Sequence, residues 1–231
     1  MRIPDRDLSL EELGSLNEEE GRRARSFGSE KRRLEFSWAR WFLRSLLASA
    51  LDRRPKDLVF RYGPQGKPDL EGGELRFNLS HTEGWIACSL ARSPVGIDVE
   101  MIPSPQDLER VRLIARRHFS GPEREYLEGL HPSQILAAFT RIFTLKEAHM
   151  KASGVGWSLP GGGFSAPLPL RELSRAAGRE CLSRVFEEEG WVLAHVAEEG
   201  PEELLYYWRY WEALLGDAGV PRIPTLQRGG V

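Results

Sequence analysis

Residues 94–100 read PVGIDVE, an apolar run that carries two carboxylates with one valine between them. On a β-strand residues i and i+2 share a face, so Asp98 and Glu100 stand side by side. Neighbouring carboxylates raise each other's pKa and oppose folding unless a positive charge lies near them. This strand therefore asks for a cation. The carboxylates supply hard oxygen, and His118, His131, His149 and His195 show none of the paired spacings of a zinc site.

The next informative stretch is FTLKEAHMKASG (143–154), which follows helical periodicity from SQILAAF onward, with Gly154 placed to cap its end. Glu147 and Lys151 are four apart and share a helix face, while Lys146 points elsewhere. A surface ion pair is the ordinary explanation of that spacing. With Asp98 and Glu100, Glu147 makes a third oxygen donor. An oxygen-only site with few protein ligands suits Mg²⁺, which takes its remaining ligands from water and substrate phosphates.

Two further stretches point to an anion. FNLSH (77–81) ends a strand at Ser80 and His81, and YGPQGKP (62–68) holds Lys67 in a tight Gly/Pro loop. A basic set, Lys31, Arg32, Arg33, Arg40 and Arg44, reads by default as the solvated side of one long helix from Glu18 to Leu51. The glycine run PGGGF (160–164) is no phosphate loop, since no Gly-Lys-Ser/Thr follows it.

The whole chain agrees with a soluble globular protein. Hydrophobic residues make up 41% and charged residues 29% of 231, which argues against disorder. A formal net charge of −2 gives no global field for nucleic acid or a membrane surface. No stretch approaches the ~20 apolar residues of a membrane span, and the N-terminus has no signal core. The expected compartment is cytoplasmic, with Cys88 and Cys181 as reduced thiols. GWIACSLA (84–91) and GWVLAHVA (190–197) echo each other, each after a helix and a short strand. Chance and tandem duplication both account for that echo.

In this order the stretches YGPQGKP, FNLSH, VGIDVE and FTLKEAHMK resemble the motifs of the 4′-phosphopantetheinyl transferases, in particular the larger Sfp-type enzymes. The likeness runs from about Arg22 to Gly156. Phe143 and Thr144 stand where Trp and Ser are also common in the family. The resemblance implies an α+β monomer of two similar tandem halves related by a pseudo-two-fold, 1–104 and 105–231, with coenzyme A between them. It implies transfer of the 4′-phosphopantetheine arm to a serine of an apo carrier protein, with release of adenosine 3′,5′-bisphosphate. Asp98, Glu100 and Glu147 would then be the Mg²⁺ ligands, and Lys151 would contact the reacting diphosphate. Glu147 would stand as a candidate base. Lys67, Ser80 and His81 would hold CoA phosphates, with Arg40 and Lys31 beside the 3′-phosphate.

An acidic carrier would find basic and apolar residues together in 111–130, where Arg116, Arg117, Phe119, Tyr126 and Leu127 lie. Two rival classes remain. A non-catalytic CoA- or carrier-binding module would be favoured by loss of a metal ligand or of Lys151, and all are present. A different Mg²⁺-dependent nucleotide enzyme would want a phosphate loop, which is missing.

Overall fold

The computed structural model describes residues 1–63, 67–154, 165–166, 168, 173–176, 179–188 and 190–197. The architecture is α+β, as expected, and the chain divides into two compact units. The first includes Met1–Leu90 and the second is Ala91–Leu204. The division therefore falls before the carboxylate strand, whereas the sequence expectation placed it at 104/105.

In the first unit a short helix, α1 (Leu10–Leu13), precedes α2 (Glu18–Ser26) and α3 (Glu30–Leu51). The single helix expected from Glu18 to Leu51 is thus two. Phe27 and Ser29 have extended backbone around Gly28 and end one helix and begin the next. Asn17 and Glu20 form a reciprocal capping box that starts α2. Trp38, Trp41, Leu43, Leu46 and Leu47 of α3 form the core with Leu58, Phe77, Ile86 and Leu90. Strand β1 (Phe60–Tyr62) pairs antiparallel with β2 (Pro68–Leu70), and β3 (Arg76–Thr82) pairs with β4 (Trp85–Ala91).

The second unit opens with β5 (Val95–Met101), then α4 (Leu108–His118), α5 (Gly121–Glu128) and α6 (Pro132–Ser153). Strands β6 (Leu173–Ala176), β7 (Arg179–Glu188) and β8 (Trp191–Ala197) follow. The sheet order is β5-β8-β7-β6, all antiparallel. β5 pairs along its whole length with β8, from Val95 opposite Ala197 to Met101 opposite Trp191. That pairing explains why the carboxylate strand belongs to the second unit.

The Gly-Trp echo is a shared local structure. Gly84 and Gly190 both have positive φ, +78° and +87°, at the turn before a seven-residue strand that begins with Trp. That conformation is cheap for glycine and strained for a side chain, so the same residue type recurs for the same reason.

Helix α6 starts at N-cap His131 with Pro132 in its first turn, and stops at Gly154, whose φ of +72° makes it the left-handed cap. The helix packs across β5 and lies tight against Gly96. A Cβ placed there would run into the Ala148 carbonyl oxygen and come within 2.6 Å of the Ala152 nitrogen. Gly96 shares a strand face with Asp98 and Glu100, so this close crossing turns both carboxylates toward the helix.

Candidate active site

Asp98 is 2% exposed in mid-strand, and its Oδ1 accepts a 2.6 Å charged hydrogen bond from Lys151 Nζ. Lys151 lies on the α6 face that also carries Ala148 and Ala152, the residues closest to Gly96. The cation demanded by the strand is, in this structure, a lysine ammonium. Glu100, half-buried, has its pKa pushed up to about 7, first by burial and then by the charges of Asp98 and Glu147. Lys151 and Arg110 act in the opposite direction. Asp98, Glu100, Glu147 and Lys151 therefore form one electrostatic cluster where β5 meets α6, and Arg110 brings the start of α4 to its edge.

Among the described residues no three Asp, Glu, His or Cys side chains are gathered tightly enough to hold a metal ion. Asp98 is turned to Lys151 instead. The donor chemistry still fits a hard cation: three carboxylates, Asp98, Glu100 and Glu147, lie near one another where β5 meets α6. His149 and His195 are buried, and burial drives each pKa down to about 4.

The anion-binding candidates lie in the first unit. A cavity of about 500 Å³ is lined by Lys67, His81 and Arg40, together with Arg23, Arg32, Phe27 and Phe36. Phe27 and Phe36 stand 5.4 Å apart, and the Arg40 guanidinium lies 5.5 Å from the Phe36 ring and 5.9 Å from Tyr62. Positive charge beside flat aromatic surface suits a phosphorylated ring compound.

Three of the five sequence candidates thus meet around one cavity. Ser80 and Lys31 do not line it. Ser80 is buried in β3, and Lys31 is 70% exposed and faces Glu35 at 4.0 Å. Arg23 was missed because it belongs to α2, a helix the sequence reading fused with α3.

The solvated-face reading of the basic set also needs correction. Arg44 is fully buried; it donates to Glu20 at 2.7 Å and to the Pro55 and Leu58 carbonyls, and lies over Phe60. Arg40 is 12% exposed, with Glu20 4.0 Å away. In the 111–130 segment, Arg116 and Arg117 are exposed, but Phe119 and Leu127 are core residues at 2% and 6%. The exposed apolar residue of α4 is Leu113, at 63%.

The site is thus a carboxylate–lysine cluster on a strand–helix crossing of an α+β fold. Comparison with known proteins gives the family. Residues 94–191 match the family described as the 4′-phosphopantetheinyl transferase superfamily. HetI, a 4′-phosphopantetheinyl transferase of Nostoc sp., is 36% identical over 67% of this chain and 68% of its own length. The 4′-phosphopantetheinyl transferase Sfp of Bacillus subtilis is 30% identical over 71% of this chain and 73% of its own. A second Bacillus subtilis enzyme of that name is 35% identical, and there the match spans 54% of the relative. A crystal structure of a holo-(acyl-carrier-protein) synthase from Bacillus anthracis aligns over 48% of this chain and 95% of its own, with 17% identity and a TM-score of 0.35. The chain belongs to the 4′-phosphopantetheinyl transferase superfamily. Among the described residues no helix is long and apolar enough to cross a membrane.

Proposed function

We propose that this protein transfers the 4′-phosphopantetheine arm of coenzyme A to a serine of an apo carrier protein and releases adenosine 3′,5′-bisphosphate. It acts as a cytoplasmic monomer. The observation that carries the reading is the cluster on β5 and α6, with Lys151 bound to Asp98 and with Glu100 and Glu147 beside them. Its residues are those of the motifs that carry the family likeness, and they lie within the segment that matches the family.

Attack by a serine hydroxyl on the CoA diphosphate needs positioned charge more than covalent help from the protein. Lys151 supplies a cation to the diphosphate oxygens, where its removal is expected to lower the rate roughly 10²–10³-fold. Asp98, Glu100 and Glu147 would hold Mg²⁺, which when bound neutralises the diphosphate and the leaving phosphate. Glu147 is the carboxylate assigned to receive the serine proton. Lys67, His81 and Arg40 take the other phosphates of CoA, Arg32 and Arg23 add charge to the same cavity, and the Phe27–Phe36 pair offers apolar surface to a planar base.

The test is direct. Apo carrier protein, CoA, Mg²⁺ and the enzyme are incubated, and the intact carrier is weighed. A gain of one phosphopantetheine arm is expected with the wild type and none with Asp98→Ala. A carrier of unchanged mass with folded wild-type protein, across acyl and peptidyl carriers, would overturn the reading.

A further inference from the structure

Glu123 of α5 and Lys146 of α6 are 0% and 1% exposed, and the reaction described above uses neither. Lys146 Nζ donates to both Glu123 carboxylate oxygens, at 3.1 and 3.2 Å. The same carboxylate accepts the backbone N–H of Ser120 at 2.6 Å and that of Ala166 at 2.6 Å. One buried acid thus gathers the first turn of α5, the middle of α6 and the backbone at Ala166.

A buried pair of this kind is a weak source of stability, because desolvation of two charges offsets their attraction. What it supplies is direction. Lys146 reaches its acid only when α6 has one roll about its axis and one height along it. Glu147 is the next residue, and Lys151 follows five residues after Lys146, on the side of the helix that faces β5. A helix moves as a rigid rod over so short a span, so fixing Lys146 fixes the direction of both. On the opposite side, at Gly96, the strand backbone meets the small residues Ala148 and Ala152, a contact that sets how close the helix lies to the strand.

We propose that Glu123 and Lys146 are positioning residues, which set the roll and height of α6 so that Lys151 meets Asp98 and Glu147 stands beside Glu100. The proposal rests on the reading of Glu147 and Lys151 as reaction groups.

The test compares wild type with the double variant Glu123→Gln, Lys146→Met. Both charges leave together, volume is kept, and the glutamine oxygen still accepts a backbone N–H. A pair that only stabilised would leave a protein with normal activity. A positioning pair gives a folded protein whose kcat falls by at least about tenfold, because displacement of reacting groups by an ångström is that costly. KM for CoA stays within about twofold, and in the variant's crystal structure the Lys151–Asp98 contact opens beyond hydrogen-bond reach. Wild-type kcat with the 2.6 Å contact intact would overturn the proposal. Should the double variant not fold, Glu123→Asp decides: it keeps the charge, shortens the acid by one methylene, and is expected to show the same split. An inactive wild type would sink the transferase reading alone, and the Lys151–Asp98 contact in the variant structure would still decide this one.

Discussion

Gly96 and Ala148 meet backbone to backbone, and this crossing brings Lys151 within 2.6 Å of Asp98. Replacing Gly96 by alanine forces strand and helix apart. Overpacking of a tight contact costs roughly 1–3 kcal/mol, and for a chain of this size each kcal/mol lowers Tm by about 2–4 °C. Gly96→Ala should therefore melt several degrees below wild type and transfer at a small fraction of its rate. A calorimetric scan beside a single-turnover assay checks both, and an unchanged Tm would mean the crossing is looser than described.

Glu100 sets a pH dependence whose sign is fixed. Its pKa in the folded protein is pushed up to about 7, against an ordinary 4.5, so the folded state is the poorer place for its charge. The metal-free protein loses stability as pH rises from about 4.5 through 7. Each pKa unit corresponds to about 1.4 kcal/mol, and screening at a half-exposed group reduces the whole to about 1–2 kcal/mol. Glu100→Gln should melt with wild type near pH 4.5 and a few degrees above it at pH 8, measured without divalent cations. A gap that closed as pH rose would reverse the assignment.

Cavity lining separates the basic residues. Lys67→Ala and His81→Ala should raise KM for CoA several-fold with kcat little changed, the signature of lost uniform binding. Lys31→Ala, which removes a side chain outside that cavity, should leave both constants near wild type. Calorimetric titration with CoA gives the same ranking without turnover, and equal affinities for all three variants would remove the cavity from the CoA site.

Helix α4 is the surface expected to meet the carrier. Leu113, Arg116 and Arg117 are exposed on that helix, and Arg110 at its start bears on Glu100. Arg116→Glu with Arg117→Glu should raise KM for an acidic carrier, most at low salt, because such charges mainly accelerate encounter. Leu113→Asp should raise it with weaker salt dependence, and neither variant should alter KM for CoA. Carrier kinetics that stay normal at low ionic strength would place the docking surface elsewhere.

The strand and helix of the site were legible because their signals are local. Same-face carboxylates at i and i+2 and a Glu/Lys pair at i and i+4 need only the geometry of one element. The need for Gly96 was not, because what a glycine avoids belongs to another element, here the backbone of α6. Arg44 and Lys146 were read as solvent-facing or irrelevant for a related reason. A long cationic side chain is buried only when a distant acid meets it, and Glu20 and Glu123 lie 24 and 23 residues away. Phe119 and Leu127 show the converse error, since an apolar residue beside arginines carries no local mark of which way it faces. The run PGGGF (160–164) and Gly156 lie outside the described residues.

The bond between Lys151 and Asp98 also bears on handling. An acid cluster that depended on a bound ion for its assembly would collapse when that ion was stripped, as small metal-dependent domains do. Here the strand's most buried carboxylate carries its own counter-charge on the neighbouring helix, tethered by the chain. Preparations treated with a chelator should thus stay folded, so that the Mg²⁺ affinity proposed above can be titrated on a protein that is already built.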